Sequence, residues 1–107
     1  MDKKGVYKAI KFLEHCLKES GLEISKIILF GSQAEGKASA QSDIDIVIIS
    51  KNFLNKDIFE RSILTKEAEI MTIKKFKIPL DIITMTPEEF ESETSTIADY
   101  AKDGKVV

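Results

Sequence analysis

Residues 27–50 read IILFGSQAEGKASAQSDIDIVIIS, and the fold is decided by how this stretch is divided. The segment from Ile24 to Phe30 is rich in β-branched residues and is stopped by Gly31, the pattern of a strand that ends in a turn. Residues 31–42 are small and polar, a turn with room for one short helix. Asp43 to Ser50 reads as a second strand. Ile44, Ile46 and Ile48 fall on one of its faces, and Asp43, Asp45, Val47 and Ile49 on the other.

Outward from this centre the periodicity becomes helical. Val6, Ile10, Leu13 and Leu17 predict a helix from Val6 to Glu19, ended by Gly21. Asn52 to Asp57 reads as a loop. A long helix is expected over Ile58 to Lys77, with Phe59, Ile63, Ile70 and Ile73 among its inward residues. Pro79 marks the return to a strand, Leu80 to Thr84. Thr86-Pro87-Glu88-Glu89 has the form of a helix start: a capping threonine, proline at the first position, acids in the first turn. A last helix is expected over Thr96 to Lys102, closed by Gly104, with Lys105-Val106-Val107 as a short edge strand. Met71 and Met85 read as core fillers, Cys16 as a packed helix position, and His15 as a surface residue.

This order predicts an α/β fold, a single domain over 1–107 with a small mixed sheet of three to four strands packed with helices. The helical crossover between the second and third strands permits parallel pairing there. The link between the first two strands leaves their direction open.

Bulk properties exclude more than they identify. The chain has 107 residues, of which 43% are hydrophobic and 32% charged, with a net charge of −2. Sixteen basic residues are scattered among eighteen acidic ones, which argues against a grip on long nucleic acid, where a concentrated basic surface supplies most of the affinity. No apolar run is long enough to span a membrane, and the first residues lack the form of a secretory signal. One cysteine forms no internal disulfide, so the cytoplasm is the expected compartment.

Chemistry concentrates on the acids. Asp43 and Asp45 lie on the same side of a strand with Cα atoms roughly 6.5–7 Å apart. Two carboxylates heading an apolar strand repel each other and lose hydration, a conflict that a divalent cation with oxygen ligands resolves. Gly31 lets a phosphate approach the backbone without a Cβ in the way, Ser32 adds a hydroxyl and an amide as donors, and Gly36 gives the loop a second flexible point. Asp81 stands alone among Ile78, Pro79, Leu80, Ile82 and Ile83, where an isolated charge is expensive. With its strand beside the second, Asp81 completes a three-carboxylate cluster suited to two metal ions about 3.5–4 Å apart, or accepts the proton of an attacking hydroxyl. The alternative is a structural ion pair between Asp81 and a lysine such as Lys26.

Gly31-Ser32, ten residues, then Asp43-Ile44-Asp45 resembles the signature of the DNA-polymerase-beta-like nucleotidyltransferase superfamily. The order of elements, Asp81 on a later strand, and the closing pattern from Pro87 to Val106 resemble its minimal nucleotidyltransferases across nearly the whole chain. The resemblance implies that the glycine-serine turn holds the triphosphate of ATP and that Asp43, Asp45 and Asp81 bind two magnesium ions. It also implies a biology: many such proteins are antitoxins that transfer AMP from ATP to a tyrosine of a HEPN-domain ribonuclease toxin. Family members often carry an arginine where this chain has Glu35, and Lys37 is the nearest basic substitute. Ser42, just before the first aspartate, is a further candidate for the nucleotide. Two alternatives remain at this point: a nucleotide-binding antitoxin that silences its toxin by contact alone, and transfer to a small-molecule acceptor.

Overall fold

The first helix, α1 (Lys3–Glu19), forms because Val6, Ala9, Ile10, Leu13 and Leu17 recur at helical spacing, and all five are buried. It stops where Gly21 turns to φ +101°, a conformation that favours glycine. There the Leu22 amide donates to the Leu17 carbonyl and the Gly21 amide to that of Lys18, each at 3.1 Å, satisfying carbonyls the helix end would leave bare. Leu17 and Leu22 then enter the same core. The computed structural model describes residues 3–31, 43–92 and 104–107; the expected helix over Thr96 to Lys102 lies outside them.

Past Gly21 the chain enters β1 (Lys26–Phe30), which pairs antiparallel with β2 (Ile44–Ile49). After β2, a short 3-10 turn (Lys51–Phe53) and α2 (Ile58–Phe76) carry the chain across to β3 (Leu80–Met85), which lies parallel to β2. A parallel partner requires such a crossover. Next comes α3 (Pro87–Glu91), and β4 (Lys105–Val106) pairs antiparallel with β1. Among the described residues the sheet order is β3-β2-β1-β4, a mixed four-stranded sheet with helices packed on it, as the sequence predicts.

β2 lies inside the sheet and is buried on both faces, which explains its run of Ile and Val. Ile44, Ile46 and Ile48 pack with α1 and α2, while Val47 and Ile49 join Ile28, Met85 and Phe90 on the opposite face. That second face carries Asp45, so the alternation that builds the core also aims the acid away from α1 and α2.

α2 departs from expectation. The periodicity of Phe59, Ile63, Ile70 and Ile73 predicts one inward stripe, yet only Ile73 packs on the core, and Phe59 and Ile63 are 77% and 72% exposed. Ile70 and Met71 also face out, so Met71 fills no core, whereas Met85 does. The buried face is instead built on Leu64, Thr65, Ala68, Thr72 and Phe76. Small residues there bring the helix close to its neighbours, and the Thr72 hydroxyl is satisfied by donating to the Ala68 carbonyl at 2.8 Å. Both faces of α2 have helical period, so period alone does not choose between them. Among the described residues, no helix is long and apolar enough to cross a membrane.

One polar clamp ties α2, β3 and α3 together at the end of the sheet away from Asp45. Arg61, the chain's single arginine, donates to Glu89 through both terminal nitrogens (2.7 and 3.2 Å), to the Thr84 carbonyl (3.3 Å) and to the Lys56 carbonyl (2.9 Å). Glu89 also accepts the Thr86 amide in a capping box that starts α3. The Arg61 hydrogen bonds hold the Glu89 carboxyl below its usual 4.5. A carboxyl depressed in the folded state stabilises the fold above its unfolded value, and that contribution fades as pH falls through the folded value. Arg61→Ala should therefore cost roughly 1–2 kcal/mol at pH 7, a figure kept small because Glu89 is half exposed. Thermal melts of both proteins from pH 7 to pH 3 should show the difference shrink below about pH 4.5.

Candidate active site

The register between β2 and β3 sets Asp45 opposite Asp81. Odd-numbered β2 residues and odd-numbered β3 residues share the sheet face away from α1 and α2, so both carboxyls emerge on that face, side by side. Asp43 precedes the same strand, one pleat repeat from Asp45, and is exposed. On the other side of Asp45 lies Phe30, its register partner on β1.

Gly31 closes the arrangement from above. Its φ is +72°, and a Cβ built there would collide with the Asp45 Oδ2 and lie 3.2 Å from the Asp45 Cγ. Glycine is therefore required at this position twice over, by backbone conformation and by the close approach of the turn to the carboxyl. Ser32, Gly36, Lys37 and Ser42 lie outside the described residues.

The electrostatics follow from the crowding. The Asp45 carboxyl is pushed above its usual value by burial first, then by the Asp81 and Asp43 charges. Glu69, from α2, is also pushed up by burial and by the Asp81 charge. Sequence periodicity overlooks Glu69 because one acid on a helix reads as solvated. Its signal is spacing: it stands four residues after Thr65, which is buried. Lys26 is no partner for Asp81. It sits opposite Ile49 at the far end of β1, with its ammonium 5.6 Å over the Phe90 ring.

The donors are all carboxylate oxygens, which suits a hard cation such as magnesium. Among the described residues no group of three or more acids, histidines or cysteines is drawn together tightly enough to hold a metal ion by itself. Asp45 and Asp81 adjoin, and Asp43 stands one step out. A pair of carboxylates with a third nearby fits a cation that completes its shell with phosphate oxygens and water, as magnesium commonly does.

The mixed sheet backed by two helices is shared with proteins of known class. Residues 9–104 match the model of the nucleotidyltransferase domain family, and the chain belongs to that family. A protein of Methanocaldococcus jannaschii, named provisionally as a protein adenylyltransferase, is 32% identical over 79 residues, covering 74% of this chain and 53% of that protein. The chain thus spans about half the length of the curated relative it matches. A solved structure described provisionally as a nucleotidyltransferase of Sulfolobus solfataricus superposes with a TM-score of 0.64 at 20% identity, covering 99% of this chain and 87% of that one. A toxin–antitoxin structure with AMP-PNP gives 0.59 at 21% identity, with 99% and 72% covered. At such identities the structures establish a common fold.

A raised folded value for Asp45 means that its ionised form opposes folding: stability is fullest below the unfolded value and falls as pH rises through the folded one. Asp45→Asn should raise the melting temperature at pH 7, by on the order of 1 kcal/mol of added stability. Magnesium should raise the melting temperature of the natural protein and leave that of Asp45→Asn unmoved. Calorimetric scans with and without magnesium measure both effects.

Proposed function

We propose that the chain is a magnesium-dependent nucleotidyltransferase that moves AMP from ATP to a hydroxyl of a protein, the tyrosine of a HEPN-type ribonuclease toxin. The observation that carries this is the pairing of Asp45 with Asp81 under the Gly31 turn, in a chain of the nucleotidyltransferase family. The name of the Methanocaldococcus relative supports a protein acceptor, and the fold shared with a toxin–antitoxin structure holding AMP-PNP supports the nucleotide and the class of partner.

In this proposal the Gly31-Ser32 turn receives the triphosphate, with Lys37 and Ser42 as further contacts, and Asp43, Asp45 and Asp81 hold two magnesium ions. Bound magnesium supplies charge neutralisation on the phosphates and alignment for in-line displacement. The acceptor oxygen attacks the α-phosphorus, one P–O bond forms, the bond to the β-phosphate bridging oxygen breaks, and pyrophosphate leaves. The hydroxyl proton passes to Asp81, whose place at the sheet edge leaves it open to an incoming group. The absence of a basic residue at Glu35 leaves phosphate charge to the cations and to Lys37.

Co-expression with an all-helical HEPN partner, followed by intact-mass measurement after ATP and magnesium, tests the proposal. The partner should gain one or more AMP units, and the double variant Asp43→Ala with Asp45→Ala should lower this at least a hundredfold. A partner that is bound and silenced but unmodified would overturn transfer in favour of neutralisation by contact.

A further inference from the structure

β3 forms one border of the sheet among the described residues, and a crevice runs along it beside α2. Ile58, Ser62, Thr65 and Glu69 recur at i, i+4, i+7 and i+11, a single stripe of α2 that lines this crevice opposite Leu80, Ile82 and Thr84. Its volume is about 280 Å³, and Asp81 lines it as well. A second cavity of about 440 Å³ continues from it, sharing Ile58, Ile82 and Thr84 and ending at Arg61 and Glu89.

The crevice is graded along its length. α2 returns the chain against the direction of β3, so Glu69 lies toward Asp81 while Arg61 reaches the Thr84 carbonyl. The Asp81 end is therefore acidic and hydroxylated, from Glu69 and Thr65, whereas the other end is walled by Ile58 and Ile82. Ile58 is 74% exposed, an apolar side chain left in water at the mouth of a cavity.

Backbone parity adds a second feature. The Ile44 amide donates to the Pro79 carbonyl and the Ser50 amide to the Met85 carbonyl, so odd-numbered residues of β3 bond toward β2. Alternation then turns the amides and carbonyls of Ile82 and Thr84 outward, along the crevice. Arg61 holds the Thr84 carbonyl at 3.3 Å. No further strand lies on that side among the described residues. Open strand edges are normally blunted by charge or cover, and here the blunting is confined to the end away from Asp81.

We propose that this crevice seats the acceptor as an extended peptide segment, paired with the Ile82 backbone and carrying its hydroxyl side chain at the Asp81 end. The inference rests on the proposed transfer to a protein hydroxyl and adds where that protein docks. Main-chain pairing with an edge strand gives affinity with little sequence demand, and the crevice supplies the side-chain selection. An apolar wall at Ile82 beside Thr65 and Glu69 fits a tyrosine, whose ring is apolar and whose hydroxyl needs a partner. In the proposed transfer, magnesium and phosphates would gather at Asp45 and Asp81 on the other face, and a hydroxyl carried in the crevice would meet them around the β3 border, where Asp81 lines the crevice.

The test uses the whole chain, isotopically labelled for amide NMR, and a capped peptide of alternating valine and threonine with a central tyrosine. Peptide at millimolar concentration should shift the amides of Ser62, Ile82 and Thr84 and slow hydrogen exchange at Ile82. Ser62→Trp, which fills the crevice from an exposed helix position, should weaken the shifts at least tenfold, with a melting temperature close to that of the natural protein. AMP transfer to the peptide is followed in parallel by mass. Shifts confined to the crevice without transfer would overturn the adenylyl-transfer proposal and leave the docking site standing. Shifts that fall elsewhere, or transfer that persists undiminished in Ser62→Trp, would overturn the docking site and leave the transfer proposal intact.

Discussion

Two carboxylates, Asp45 and Asp81, are brought to the same step of neighbouring parallel strands, where burial and the Asp81 charge raise the energy of the Asp45 charge. Much of the structure sets up that juxtaposition. β2 runs through the sheet buried on both faces, so its register with β3 is fixed by Ile44, Ile46 and Ile48 against the helices and by Val47 and Ile49 against Phe90. A slip of one residue would bury Asp45 under α1 and α2, at a cost no other contact here could offset. The acids are thus held together by hydrophobic packing several residues away from them. Their repulsion is tolerated because the packing is not negotiable, and a cation with phosphate oxygens would relieve it.

The two ends of the sheet are treated differently. At the end bearing Phe90, Arg61 spans α2, β3 and α3 with a bidentate contact to Glu89, and two capping boxes fix the starts of α2 and α3. The other end holds exposed Asp43 and Asp81 and the glycine turn at Gly31. Rigidity at one end and exposed charge at the other are what a site needs when its ligands arrive from solvent. Among the described residues, the outer edge of β3 follows the same gradient, blunted by Arg61 near Thr84 and open toward Asp81.

Much of this was legible in the sequence, for local reasons. Alternation over Ile44–Ile49 announced a buried strand, while the aspartate embedded in Ile and Leu at position 81 marked a candidate only; it is exposed, so its charge costs less than the apolar run around it suggests. Gly31 was legible as a turn glycine, although the closeness of Asp45, which makes any Cβ impossible there, needed coordinates. Strand direction between β1 and β2 was not legible, since an intervening stretch of that length permits either pairing. The face of α2 was misjudged. Phe59 and Ile63 have the period of a core stripe, but the core selected Ala68 and Thr72, whose small size allows a close approach that no hydropathy pattern encodes. Arg61 and Glu69 escaped notice because their roles depend on residues 28 positions away in one case and on a neighbouring strand in the other.

The proposed function assigns the Asp45–Asp81 pair to a divalent cation held together with nucleotide phosphate. Manganese, a hard ion that shares the oxygen preference of magnesium, broadens the NMR signals of amides close to where it binds. Titrated into the labelled protein with ATP, it should broaden Asp43, Asp45 and Asp81 first, with Gly31 alongside, and leave Arg61 and Glu89 sharp. Broadening centred on other acids, or equal across the surface, would overturn that assignment.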